Sequence, residues 1–229
     1  PSSPEERASV ISPEFSAMAR EKRGAMARQI DTGLGPFDRA HLSALVDVPR
    51  ERFVRPQDLA RSIEDVPLAL DDRGDATISA PHAYLLSFRV LGLKSGDALV
   101  ELGSGSGYGA ALAAHIVGDT GRVDTFEVDE ELATLAAELL AHHTNVRVRW
   151  LDAHGSESFW GGALRVSVTF AVTHVPQAWL AALGEGGVLV APVGPPNGEQ
   201  RLVMFTKRHG EIYRQEQGAV RYVPDRSPI

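Results

Sequence analysis

Residues 97–118, DALVELGSGSGYGAALAAHIVG, decide how the rest of this chain is read. Asp97–Leu102 is a short apolar run, the pattern of a strand buried on both faces. It breaks into Gly103-Ser104-Gly105-Ser106-Gly107, and Tyr108–Val117 resumes as an Ala-rich segment of high helical propensity. Glycines let backbone approach a ligand closely, and the helix N-terminus behind them offers unpaired N–H groups. Strand, glycine turn and helix form the first unit of a nucleotide-binding α/β fold. Glu101, at the strand end, adds a carboxylate suited to a cationic or amino-bearing ligand.

The flanking strands sharpen this. A dinucleotide fingerprint needs a glycine where this chain has Tyr108, and no Gly-Lys-Ser/Thr follows as in a phosphate-binding loop. A strand over Gly121–Glu127 brings Glu127, twenty residues past Gly107, to where an acid can bond both ribose hydroxyls. A strand over Val146–Leu151 brings Asp152 to where an adenine ring would meet a third loop. Glu101, Gly103, Gly105, Gly107, Glu127 and Asp152 together resemble the cofactor site of class I S-adenosylmethionine methyltransferases. That resemblance adds Ser104, Ser106, Tyr108, Val128, Ala153 and Thr169 to the expected cofactor contacts. The competing reading is a glycine turn with incidental acids.

Composition narrows the function classes. With 229 residues the chain can bury a full core, as one domain with a small appendage. The net charge of −7, without a long basic run, argues against a nucleic-acid surface. No cysteine is present, so disulfides, thiol catalysis and cysteine-based zinc sites are excluded. His142-His143 lacks suitably spaced further ligands, and no metal is expected. The apolar runs are too short to cross a membrane and no signal peptide is visible, so a cytoplasmic monomer is the expectation. The chain begins at Pro1, without Met.

In order along the chain, residues 1–13 are polar and Ser/Pro-rich, expected to be a loose N-terminal arm. Residues 14–75 form a helical cap and acceptor-side segment, with helices over Glu14–Gln29 and Pro36–Val46. Residues 76–229 form the cofactor-binding core. Within it Thr77-Ile78-Ser79-Ala80-Pro81-His82 leads into an amphipathic helix, Ala83–Leu91, which Ser79 or Thr77 could cap. Asp129–His142 and Gln177–Leu183 read as helices, and Val188–Val193, Gln200–Lys207 and Glu211–Gln215 as strands, the last two a hairpin about His209-Gly210.

Five blocks match one family in order: Glu51-Arg52-Phe53-Val54, Thr77–His82, Gly103–Tyr108, Pro192-Val193-Gly194-Pro195-Pro196-Asn197-Gly198 and Val220-Arg221-Tyr222-Val223-Pro224. The chain resembles the protein-L-isoaspartate O-methyltransferases from about Met18 to Pro224. The resemblance implies a Rossmann-like α/β fold: a mostly parallel seven-stranded sheet, helices on both faces, a C-terminal antiparallel hairpin and an N-terminal helical cap. It implies S-adenosyl-L-methionine as methyl donor and an isoaspartyl peptide or protein as acceptor, with repair through a methyl ester and a succinimide. Ser79 then lies beside the carboxylate to be methylated, and Thr77, Ile78, Pro81, His82, Phe170 and His174 join it as acceptor contacts. His82 also reads as a packed helix-start residue and His174 as a solvated loop residue.

The match weakens over residues 153–175, where Leu164 replaces the family's Asp and Phe170-Ala171-Val172 its Ala-Ala-Ala run. This divergence keeps two alternatives open. One is a tailoring enzyme that methylates an Asp side chain of a constrained peptide natural product; the other is an inactive cofactor-binding homologue. The chemistry itself asks little of a base. A carboxylate is ionised near neutral pH, so orientation and modest desolvation are what the protein must supply.

Overall fold

The computed structural model describes residue 7 and residues 9–227. Two helices open the described chain: α1 (Pro13–Leu34), capped by the Ser12 hydroxyl accepting from the Phe15 N–H at 3.1 Å, and α2 (Arg39–Asp47). A short hairpin follows, β1 (Leu68–Ala69) and β2 (Thr77–Ile78), antiparallel with Leu68 opposite Ile78. Then come α3 (Pro81–Leu91), β3 (Ala98–Leu102), α4 (Tyr108–Val117), β4 (Arg122–Glu127), α5 (Glu130–Leu139), β5 (Val146–Trp150) and α6 (Glu157–Trp160). The chain ends with β6 (Ala163–Val168), α7 (Gln177–Ala182), β7 (Leu183–Val193), β8 (Gln200–Arg208) and β9 (Glu211–Val220).

Seven strands form one sheet in the order β5-β4-β3-β6-β7-β8-β9. From β5 to β7 all pairs are parallel, and β7-β8-β9 are antiparallel. The fold expected from the resemblance, with its helical cap and terminal hairpin, is therefore the fold observed. The strand order reverses direction between β3 and β6, and at such a switch point the loops after adjacent strands part and leave a cleft. Two cores flank the sheet. Leu45, Leu85, Phe88 and the α4 alanines fill one side; Trp179, Trp160, Leu189 and Phe205 fill the other.

Boundaries moved where long-range pairing outweighs local pattern. β7 starts at Leu183 rather than at the expected Val188, so Gly186 and Gly187 are part of a strand rather than a turn before it. β9 runs to Val220, although its exposed residues offer no alternating apolar pattern; pairing to β8 holds it. Helix α5 stops at Leu139, leaving His142-His143 beyond its end. Of the expected loose arm, residues 1–6 and 8 lie outside the described residues, while Arg7 is buried and donates to the Val54 carbonyl. No helix among the described residues is long and apolar enough to cross a membrane.

Candidate active site

At the switch point the glycine turn sits where β3 and β6 diverge. Thr169, just past β6, donates its hydroxyl to Gly103 O at 2.6 Å and Leu102 O at 3.0 Å. Gly103 has φ +98°, and a Cβ there would stand 2.3 Å from Thr169 Oγ1, so only glycine fits this junction. Ser106 Oγ, buried in the same turn, has no hydrogen-bond partner among the described residues.

Acids end the three strands beside this turn. Glu101 on β3 is 1% exposed and accepts from Thr125 Oγ1 at 2.7 Å. Burial pushes its carboxyl up to about 8, with the Thr125 bond opposing and the Glu127 charge adding to the shift. Glu127 on β4 accepts the Gly105 N–H on Oε2 at 2.8 Å, and the Asp129 N–H and Arg226 Nη2 on Oε1, each at 3.1 Å. Burial raises its carboxyl too, against the pull of those N–H groups and of Arg226. Asp152, two residues past β5, accepts on Oδ1 from the His154 N–H at 2.9 Å and Ser227 Oγ at 2.7 Å. The C-terminal segment is thus drawn over the site, held also by Asp225 N–H to Ala171 O at 3.0 Å and by Asp225 to His154 Nε2 at 2.7 Å.

Three acceptor groups at adjacent strand ends, a glycine cradle that a Cβ would fill and an unpartnered serine hydroxyl suit a donor-rich ligand. S-adenosylmethionine offers an ammonium, two ribose hydroxyls and an adenine amine, so these residues fit it. Its sulfonium supplies an electrophilic methyl group.

A cleft of about 710 Å³ is lined by Thr77, Ser79, His82, Leu86, Asn197 and the segment 219–224, among others. Ser79 is held from both ends: its N–H donates to the Tyr84 hydroxyl at 3.1 Å, and its carbonyl accepts from Arg50 Nη2 at 3.2 Å. Arg50 is fully buried and also donates to the carbonyls of Ser62, Glu64 and Val66. One guanidinium therefore ties the chain before β1 to the turn that carries Ser79.

The model of the protein-L-isoaspartate(D-aspartate) O-methyltransferase family matches residues 23–227. This chain belongs to that family. A Methanosarcina mazei protein-L-isoaspartate O-methyltransferase is 37% identical over 191 residues, 82% of this chain and 77% of that protein. A Rhodopseudomonas palustris protein-L-isoaspartate O-methyltransferase 1 is 38% identical over 221 residues, 93% of this chain and 86% of that one. The fold matches a solved protein-L-isoaspartate O-methyltransferase with TM-score 0.80 at 24% identity, covering 91% of this chain and 66% of that one. It also matches a Plasmodium falciparum structure described as a beta-aspartate methyltransferase in complex with S-adenosyl-L-homocysteine, with TM-score 0.76 at 20% identity, covering 88% and 97%.

Within this methyltransferase fold the expected site residues divide. Glu101, Gly103, Ser104, Gly105, Ser106, Gly107, Glu127, Asp152 and Thr169 surround the switch point, with Val128 and Ala153 just past their strands. The Tyr108 side chain instead turns under the cap, its ring 5.5 Å from those of Phe53 and Tyr84. Thr77 and Ser79 face this cleft, but Ile78 points the other way into the core, because side chains alternate along a strand. Pro81 is likewise buried at the start of α3. Phe170 packs edge-on against Trp179 and beside Gly103, and exposed His174 bonds Thr173; neither lines the cleft.

Capping of α3 also differs from expectation. Ala80 occupies the cap position without a side-chain bond, and Asp65 accepts the His82 N–H from outside at 3.0 Å. Sequence reasoning missed Asp65, Arg50, Tyr84, Arg226 and Gly109. Only Gly109 carried a local signal, a glycine inside a helix; a Cβ there would stand 2.1 Å from Glu101 Oε1.

Proposed function

We propose that this protein transfers the methyl group of S-adenosyl-L-methionine to the free α-carboxylate of L-isoaspartyl residues in peptides and proteins, as the first step of repair, and that it acts as a monomer in the cytoplasm. The observation that carries the acceptor class is the charge of the cleft. In a chain with seven more acids than lysines and arginines, its lining holds Arg221 and no acidic residue. An anionic acceptor enters without like-charge repulsion.

Each residue has a task that needs no strong base. Ser79 presents a hydroxyl that orients the carboxylate without clamping it by a cation, which would blunt its nucleophilicity. Arg50 and Tyr84 hold the Ser79 backbone still, so that orientation survives thermal motion. Glu101, Glu127 and Asp152 bind and orient the methyl donor. The ester then loses methanol as the neighbouring backbone nitrogen attacks, and the resulting succinimide opens in part to normal aspartate.

Methyl transfer from labelled donor to matched peptides carrying L-isoaspartate or L-aspartate tests this. Preference for the unconstrained isoaspartyl peptide supports repair. Activity on neither, with donor binding intact, points to a constrained peptide acceptor; loss of donor binding refutes the enzyme reading. The sequence divergence that suggested a constrained acceptor lies away from the cleft: Leu164 is half-exposed at the opposite end of β6, and Phe170 and His174 are off the lining.

A further inference from the structure

A histidine of the acceptor cleft is held by an aspartate from a separate segment. His82 Nδ1 lies 3.0 Å from Asp65 Oδ1 and 2.9 Å from Oδ2, while the His82 backbone N–H donates to Oδ1 at 3.0 Å. Burial works to raise the Asp65 carboxyl, yet the side-chain and backbone hydrogen bonds from His82 and the Arg50 charge bring it below the usual carboxylate range. An ionised carboxylate only accepts, so Nδ1 carries the ring proton. Nε2 makes no hydrogen bond among the described residues, and His82 lines the cleft beside Thr77 and Ser79.

We propose that Asp65 is a positioning residue for the acceptor: it holds the His82 ring as the Nδ1–H tautomer, so that uncharged Nε2 accepts a backbone N–H of the peptide next to the residue being methylated. This rests on the reading of the cleft as the acceptor site. An uncharged acceptor grips the peptide backbone and leaves the reacting carboxylate unpaired. A protonated ring would instead donate from Nε2 and compete for that carboxylate.

Asp65→Asn separates this role from the capping role. Asparagine caps helices about as well as aspartate, so its Oδ1 keeps the His82 backbone N–H. Its amide NH₂ takes the place of Oδ2 and donates to Nδ1, which drives the ring to the Nε2–H tautomer. Ring ¹⁵N chemical shifts report the tautomer without any peptide, and steady-state kinetics on an isoaspartyl peptide report its consequence.

The expected result is Nδ1–H in the wild type and Nε2–H in Asp65→Asn. KM for the peptide should rise about tenfold, the loss of one hydrogen bond, with kcat and donor affinity within about twofold. His82→Phe should raise KM comparably, and His82→Gln should recover part of it. An Nε2–H ring in an active wild-type enzyme overturns the proposal alone, as does a flipped tautomer, or His82→Phe, with unchanged KM. A wild type that binds donor but methylates neither peptide instead sinks the acceptor reading, and this proposal's peptide contact with it.

Discussion

Proton release on donor binding tests the role of Glu101. The carboxyl is 1% exposed and its pKa is pushed to about 8 by burial, so about nine-tenths of the free protein holds that proton at pH 7. An ammonium placed beside Glu101 favours the ionised form and draws the pKa down. Binding at pH 7 should therefore release about 0.9 proton from Glu101. The donor's own amino group, near 8, is already mostly protonated at pH 7 and contributes little. Calorimetry in two buffers of different ionisation heat counts the protons directly. In Glu101→Gln the release should vanish, and donor affinity should fall by roughly 1.5–3 kcal/mol, the worth of a hydrogen bond to a charged group. Equal proton release by wild type and variant at pH 7 refutes the assignment.

The same group shapes stability, with a sign that can be worked out. Its folded pKa lies above the unfolded value of 4.5, so the folded state binds more protons between the two. Stability of the donor-free protein therefore falls as pH rises from about 4.5 to about 8, by ~1.4 kcal/mol per unit, a total on the order of 5 kcal/mol. Urea midpoints for Glu101→Gln should show a flatter profile over that window.

Three further outcomes follow from the site. Ser79→Ala should lower turnover on the isoaspartyl peptide at least tenfold with donor affinity nearly unchanged; parallel loss of both would remove Ser79 from the acceptor side. Arg226→Ala should tighten donor binding by about twofold to fivefold, because each carboxylate oxygen has two acceptor sites and both on Glu127 Oε1 are filled by Asp129 and Arg226. Weaker binding on calorimetry would instead make Arg226 a support for Glu127. Alanine at both Phe170 and His174 should leave the ratio of isoaspartyl to aspartyl peptide turnover within about twofold; a larger shift would place acceptor choice on a wall that lies off the cleft.

Much of the candidate donor side was legible in position because its residues are local to three strand ends. The strand-turn-helix of residues 97–118 places Glu101 and the glycines by itself, and Glu127 follows from the next strand. The Tyr108 side chain went the other way because the cap offers Phe53 and Tyr84 for its ring, a surface assembled from distant segments. Ile78 was grouped with its neighbours by motif, whereas the two-residue alternation of β2 turns it into the core.

What the sequence determined alone were properties carried by neighbouring residues: the periods of strands and helices, glycines where positive φ is needed, and acids at strand ends. The tertiary structure decided which distant groups share hydrogen bonds. His82 takes Asp65 from 17 residues away, Ser79 takes Arg50 from 29, and Glu127 takes Arg226 from 99. No local pattern encodes such pairs, since a buried or half-buried polar group must be satisfied by whatever partner the packed chain brings within reach.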